Sequence, residues 1–293
     1  MGLFFSSDRF TRPGPGVRPD APRKKGVARL AEIMGRDMWN FFRAGFLAFL
    51  GCLPFIIGMF FAVETHALLF MLLAGIIGGL IAGPELSAMA DTVLRSLRDE
   101  PGYWWETYRR VWKRNARESL VPGMLTGLVL SMQIFTLFHM SVISAGIVTW
   151  VLLILSFVVT LGLESYIWPQ IALLDLPLYG ILKNSLLLFL GYLPRSLGAI
   201  AIKAVYWGAI LLFFPLTTII LPFTNFWLPM LPALLCIYQP LNKCFTIEST
   251  INKMREDDLN AALAKDNEPL PEDSTEKAEE STEASSDDSS SDV

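Results

Sequence analysis

Ala44 to Val63 reads AGFLAFLGCLPFIIGMFFAV, twenty residues without a charge. At 1.5 Å per residue, a helix of that length covers about 30 Å, the thickness of a bilayer's hydrocarbon core. The chain on either side changes character at once. Arg43 closes a basic segment on the N-terminal side, and Glu64-Thr65-His66 closes the run on the other. A second apolar run, His66–Ala90, follows directly. Further runs span Leu120–His139, Val142–Tyr166, Leu197–Leu221 and Phe226–Pro240. The last is the shortest and carries Pro229 and Pro232. The apolar stretch 181–193 is too short to cross and reads as an interfacial or re-entrant segment.

These runs set the fold class: an all-α, polytopic membrane bundle of about six transmembrane helices, with a cytoplasmic amphipathic helix and disordered termini. The domains expected are a mobile basic segment at 1–43, a helical membrane domain at 44–242 and an acidic, largely disordered tail at 243–293. Composition agrees. The chain is 53% hydrophobic and 18% charged, with a mean hydropathy of +0.44, whereas soluble domains carry roughly 25% charged residues. A bilayer accepts so many apolar runs because each helix satisfies its own backbone hydrogen bonds.

Charge gives the orientation. Of 24 Lys and Arg, nine precede Ala44 and seven lie between Ala90 and Leu120. The connections at Glu64–His66, Met140–Ser141 and Pro222–Asn225 hold none. Cytoplasmic loops carry the excess of basic residues, so both termini are expected in the cytoplasm and those three connections outside. From Glu256 onward there are 14 acidic and two basic residues. Such a composition buries too little surface to fold. The start Met1-Gly2-Leu3-Phe4-Phe5-Ser6 fits an N-myristoylation pattern, and no cleavable signal peptide is visible.

One loop concentrates the remaining signals. After Pro101-Gly102, residues Tyr103, Trp104, Tyr108, Val111 and Trp112 share a helix face, while Arg109, Arg110, Lys113, Arg114 and Arg117 cover much of the rest. An aromatic face opposite a basic one suits a helix lying among anionic headgroups. The other reading is a docking face for a cytoplasmic partner. Charge already held at a lipid surface argues against nucleic acid.

Ionisable residues inside spans are costly and mark candidate sites. Glu85, Glu164 and Lys203 fall at similar depth near the cytoplasmic side. Lys203 is expected either to pair with Glu164 or Glu85 or to snorkel along its stem to the interface. Gln133 can hydrogen-bond across helices. Gly75/Gly79 and Gly123/Gly127 form GxxxG pairs that favour close packing. His66 and His139 read as separate interfacial residues. Cys52, Cys236 and Cys244 have no metal or disulfide spacing. The sequence contains no Walker loop, HExxH or GxSxG, so neither enzymatic activity nor a cofactor is expected.

Several motifs, in order, resemble the YesL-like family of bacterial integral membrane proteins. They are Cys52-Leu53-Pro54 through Gly58, Leu94-Arg95-Ser96-Leu97-Arg98-Asp99-Glu100 with Gly102-Tyr103, and Tyr108, Trp112, Lys113 and Asn115. Asp175-Leu176-Pro177, Leu182-Lys183-Asn184 and Leu193-Pro194-Arg195-Ser196 follow, and Leu231-Pro232-Ala233 through Tyr238 and Leu241-Asn242 complete the set. The resemblance runs from about Cys52 to Phe245. Two departures stand out: about 25 apolar residues added before Gly83, and Ala116 where the family has an aromatic. Family members are often encoded beside carbohydrate uptake and degradation systems. The resemblance therefore implies an accessory or regulatory membrane component, with a transporter subunit as partner. The alternative is a small-solute transporter or channel lined by Glu85, Glu164 and Lys203, although no internal repeat is evident.

Overall fold

Helix α1, Gly26–Thr65, is 40 residues long, about 60 Å and twice what a bilayer requires. It begins well before Ala44 because the preceding residues have their own partners, described below. The structure is a computed structural model, and it describes residues 23–100, 102–140, 142 and 146–266. The myristoylation pattern at Met1–Ser6 and the tail beyond residue 266 lie outside the described residues.

After His66, in left-handed conformation at φ 53°, the chain turns into α2, Leu68–Arg98. Next come α3, Trp104–Phe138, and α4, Ile147–Leu173. The shorter α5, Leu178–Gly191, leads into α6, Leu193–Leu212. A 3-10 turn at Leu216–Thr218 and the single turn α7, Leu221–Thr224, precede α8, Trp227–Phe245. No strand occurs among the described residues, and six helical stretches are long and apolar enough to cross a membrane. The chain divides into two compact units, Met1–Cys244 and Phe245–Val293. The second contains α9, Ile247–Asp266.

α1, α2 and α3 form the core and run antiparallel to their neighbours. The α2–α3 seam is built on glycine. A Cβ on Gly79 would collide with the Gly123 carbonyl oxygen, and one on Gly123 with that of Gly79. Gly75 meets Gly127 in the same way, and Gly83 meets Ser119. The GxxxG residues thus bring two helices of one chain backbone to backbone. A π-turn at Ala74–Gly78 widens α2 where α1 grips its other side, with Phe55 against Gly78. α4 packs on α3 and α2, and Gln133 donates to Ser156 Oγ at 2.5 Å and Thr160 Oγ1 at 2.8 Å. α5 returns along α4, where Gln170 Nε2 donates to Ser185 Oγ at 2.8 Å and Phe189 packs on Gly162.

Four expectations change. Residues 26–43, expected to be mobile, are helical, because Arg29 and Arg36 bind the end of α2. Residues 247–266, expected to be disordered, are helical: this stretch is rich in helix formers, and a helix satisfies its backbone locally without a core. The fifth apolar run ends at Leu212 rather than Leu221, and the sixth helix continues to Phe245 through Pro232 and Pro240. The aromatic-basic loop is no separate helix, because α3 runs unbroken from Trp104 into the span.

Candidate functional site

Helix α2 ends in carbonyls that lack intrahelical partners. Arginines from α1 and the residues before it supply the donors. Arg29 Nη2 donates to Leu97 O at 3.0 Å, Arg36 Nη2 to Ser96 O at 2.8 Å and Arg23 Nη2 to Arg98 O at 3.1 Å. Asp99, left-handed at φ 60°, sits among the same guanidiniums. Its Oδ2 is 2.6 Å from Arg29, and its Oδ1 bonds Arg36. Burial by itself would raise the Asp99 carboxyl. Hydrogen bonds and charge from Arg36 and Arg29 outweigh that and hold it below the usual carboxylate range. Behind this clamp, Arg95 bonds Asp91 at 2.7 Å and Arg98 bonds Glu100 at 2.8 Å. α1 and α2 are therefore locked together at the charged end. A polar recess of about 280 Å³ lies between them and α3, lined by Arg36, Asn40, Arg95, Asp99, Trp104 and Tyr108.

The aromatic face of α3 turns inward. Tyr108 is 4% exposed and donates to Glu85 Oε2 at 2.5 Å, and Trp112 Nε1 donates to Glu85 Oε1 at 2.9 Å. This corrects the expectation that Tyr108 and Trp112 lie on lipid. Helical spacing shows that they share a face but not what covers it, and here α2 covers it with an acceptor. Trp104 is half-buried and packs against Tyr108 with ring centroids 5.2 Å apart and planes tilted by 35°. Tyr103 remains 85% exposed, as does Trp105 at 58%. Arg109, Arg110, Lys113 and Arg117 are all exposed. The aromatic and basic halves of the candidate face thus separate: Tyr108 and Trp112 hold the bundle, and the cations face outward.

Within the bundle, Lys203 Nζ lies 3.5 Å from Glu164 Oε2, with both side chains largely buried. Trp168 Nε1 also donates to Glu164, at 3.3 Å. Glu85 is engaged elsewhere by Tyr108 and Trp112, so the three ionisable residues form two sites rather than one cluster. Glu164 borders three cavities, the smallest of about 10 Å³ beside Lys203, Met230 and Leu234, and two larger ones. One, of about 50 Å³, lies beside Cys52, Gly79 and Gly123. The other is a largely apolar groove of about 520 Å³ between α3 and α4, with Thr126, Ser156 and Thr160 on its wall.

At the opposite end, His66 and His139 meet. His139 Nδ1 lies 2.8 Å from the Phe135 carbonyl, which can only accept, so this nitrogen carries the proton. His139 Nε2 then accepts from His66 Nδ1 at 2.6 Å. The two were expected to stand apart. They lie 73 positions apart in the chain, and only the antiparallel α2–α3 pairing brings them together. Among the described residues no group of three or more His, Cys, Asp or Glu gathers as a metal site would.

Sequence reasoning missed Arg29 and Arg36. Their spacing of seven, two helical turns on one face, was the available signal. Comparison with protein families, with curated proteins and with solved structures finds no match to the chain.

Proposed function

We propose that the protein is an accessory or regulatory membrane component that presents the charged end of α1, α2 and α3 to a cytoplasmic partner. One observation carries this reading: α3 continues unbroken from its apolar span to Trp104. Arg109 lies eleven residues before Leu120, so it stands about 16 Å from the start of the span. The headgroup layer is only about 5–8 Å deep. Arg109 and Arg110 therefore reach past the lipid, while Lys113 and Arg117 remain close enough to attract anionic headgroups, at about 1 kcal/mol per residue. The clamp at Asp99 ties α1 to α2, the Tyr108 and Trp112 bonds to Glu85 tie α3 to α2, and a fixed, outward-facing row of cations suits an acidic protein surface.

The excess of basic residues at this end supports a cytoplasmic location for it, with both termini inside and the plasma membrane as the host. The resemblance to the YesL-like family supports a link to carbohydrate uptake, with a transporter subunit as the partner. Neither nucleic acid nor a cofactor enters this reading.

The test is photo-crosslinking in native membranes from a reactive residue at position 110. Recovery of a discrete membrane-transport subunit is expected. Crosslinks to lipid alone would overturn the reading.

A second reading, a small-solute transporter, draws on the two larger cavities that meet at Glu164. The glycine seam opposes it, because α2 and α3 touch backbone to backbone and leave no passage between them. Solute uptake by the purified protein in liposomes, lost in Glu164→Gln, would favour it.

A further inference from the structure

We infer that His66 and His139 together form a binding site for a divalent transition-metal ion of square geometry, Cu(II) before the others. They are the only two histidines in the 293-residue chain. They lie 73 positions apart, yet His66 Nδ1 and His139 Nε2 face each other at 2.6 Å. Imidazole is the commonest metal ligand among side chains, and it binds through an unprotonated ring nitrogen.

Each ring is held as a ligand must be held. His139 is buried at the C-terminal end of α3. Its ring stacks on Phe135, with centroids 4.0 Å apart and planes 21° apart. Its Nδ1–H donates to the Phe135 carbonyl at 2.8 Å. That bond fixes the tautomer, so Nε2 carries the free lone pair and points at His66. Metal-binding histidines almost always donate their other ring nitrogen to a carbonyl, carboxylate or water in this way. His66 closes α1 with φ at 53°, in the left-handed region. That turn sets its ring across the end of α3, at 80° to the ring of His139.

The spacing selects the ion. Metal–nitrogen bonds of about 2.0–2.1 Å put two nitrogens about 3.3 Å apart on a tetrahedral ion, but about 2.9 Å apart at neighbouring corners of a square. From 2.6 Å the square needs the smaller movement. His66 supplies it, because its side chain is exposed whereas His139 is buried. His66 changes tautomer as the ion enters. Its Nδ1 proton leaves and its Nε2 takes one up, so both facing nitrogens offer lone pairs and no net proton is released. The neighbouring Glu64 and Thr65 are exposed polar residues, so water reaches the site and fills the remaining corners. Cu(II) favours square geometry with nitrogen and oxygen ligands, and it binds most tightly of the divalent first-row ions. The bound ion ties the α1–α2 turn to the end of α3, opposite the Asp99 clamp. This inference stands whether or not the accessory role holds.

The test titrates Cu(II) chloride into the purified full-length protein in detergent, with any affinity tag removed, followed by calorimetry and pulsed electron paramagnetic resonance. One ion per chain is expected, with two equatorial imidazoles in the spectrum. Losing a hydrogen-bond partner of a metal ligand costs about 10–100-fold in affinity, so losing a ligand should cost at least about ten-fold. His66→Asn, which tolerates the left-handed backbone, and His139→Gln should each bind that much more weakly and show at most one imidazole. A wild-type spectrum with one imidazole or none overturns the inference. An affinity within two-fold of wild type in both variants does the same. Copper held by the exposed Cys244 instead gives a thiolate spectrum without imidazole and also counts against it. The wild-type spectrum decides alone if a variant fails to fold.

Discussion

Lys203 on α6 holds Glu164 on α4 at 3.5 Å, with side-chain exposures of 8% and 18%. Removing one member of a buried pair strands the other charge, at about 3–5 kcal/mol, whereas removing both often costs little. Glu164→Gln should therefore destabilise the detergent-solubilised protein by that amount, and Glu164→Gln with Lys203→Met should recover most of it. Denaturant unfolding of the two single variants and the double variant gives the coupling. Additive losses would show that the pair is not formed.

The Glu85 carboxylate depends on Tyr108 and Trp112. Tyr108→Phe keeps the ring and removes the donor, leaving a charged acceptor short of one bond. A loss of about 1–3 kcal/mol is expected. Glu85→Gln with Tyr108→Phe should lose less than the two single losses combined. A neutral Tyr108→Phe would place the aromatic face on lipid after all.

The glycine seam predicts a sharp positional contrast. Gly79→Ala puts a methyl against the Gly123 carbonyl and should cost about 1–3 kcal/mol through helix separation. Gly198→Ala, on α6 with nothing within 4 Å of the new methyl, should be neutral or stabilising, since Ala is the better helix former. Thermal unfolding in micelles compares them.

The Asp99 clamp has a pH signature. Its carboxyl is held below the ordinary range, so its contribution is complete above the unfolded value near 3.9. It disappears as pH falls through the lower, folded value. Between pH 7 and about 4 the clamp should therefore be constant, weakening only in stronger acid. Asp99→Asn should be less stable than wild type at pH 7, and the gap should close below about pH 4. A gap that opens in acid instead would contradict the assignment.

Much of this architecture was legible from residues such as Ala44–Val63, because twenty apolar residues in a row admit few folds. The candidate site was legible only in part. The spacing of Tyr108 and Trp112 showed a shared face, but periodicity says nothing about which neighbour covers it. In the sequence Arg29 and Arg36 read as part of a mobile basic arm, because their partners, the Leu97 and Ser96 carbonyls and Asp99, are brought to them only by the fold. His66 and His139 belong together only through the antiparallel pairing of α2 with α3.

The central claim is that the exposed cations of α3, and not its aromatics, engage a partner. The most direct measurement compares crosslinking from position 110 in Arg109→Glu/Lys113→Glu with that in Trp112→Phe. The charge reversal should lower the yield of the crosslinked transporter subunit at least ten-fold, while Trp112→Phe leaves it within two-fold. A crosslink that survives charge reversal and is lost in Trp112→Phe would contradict the account.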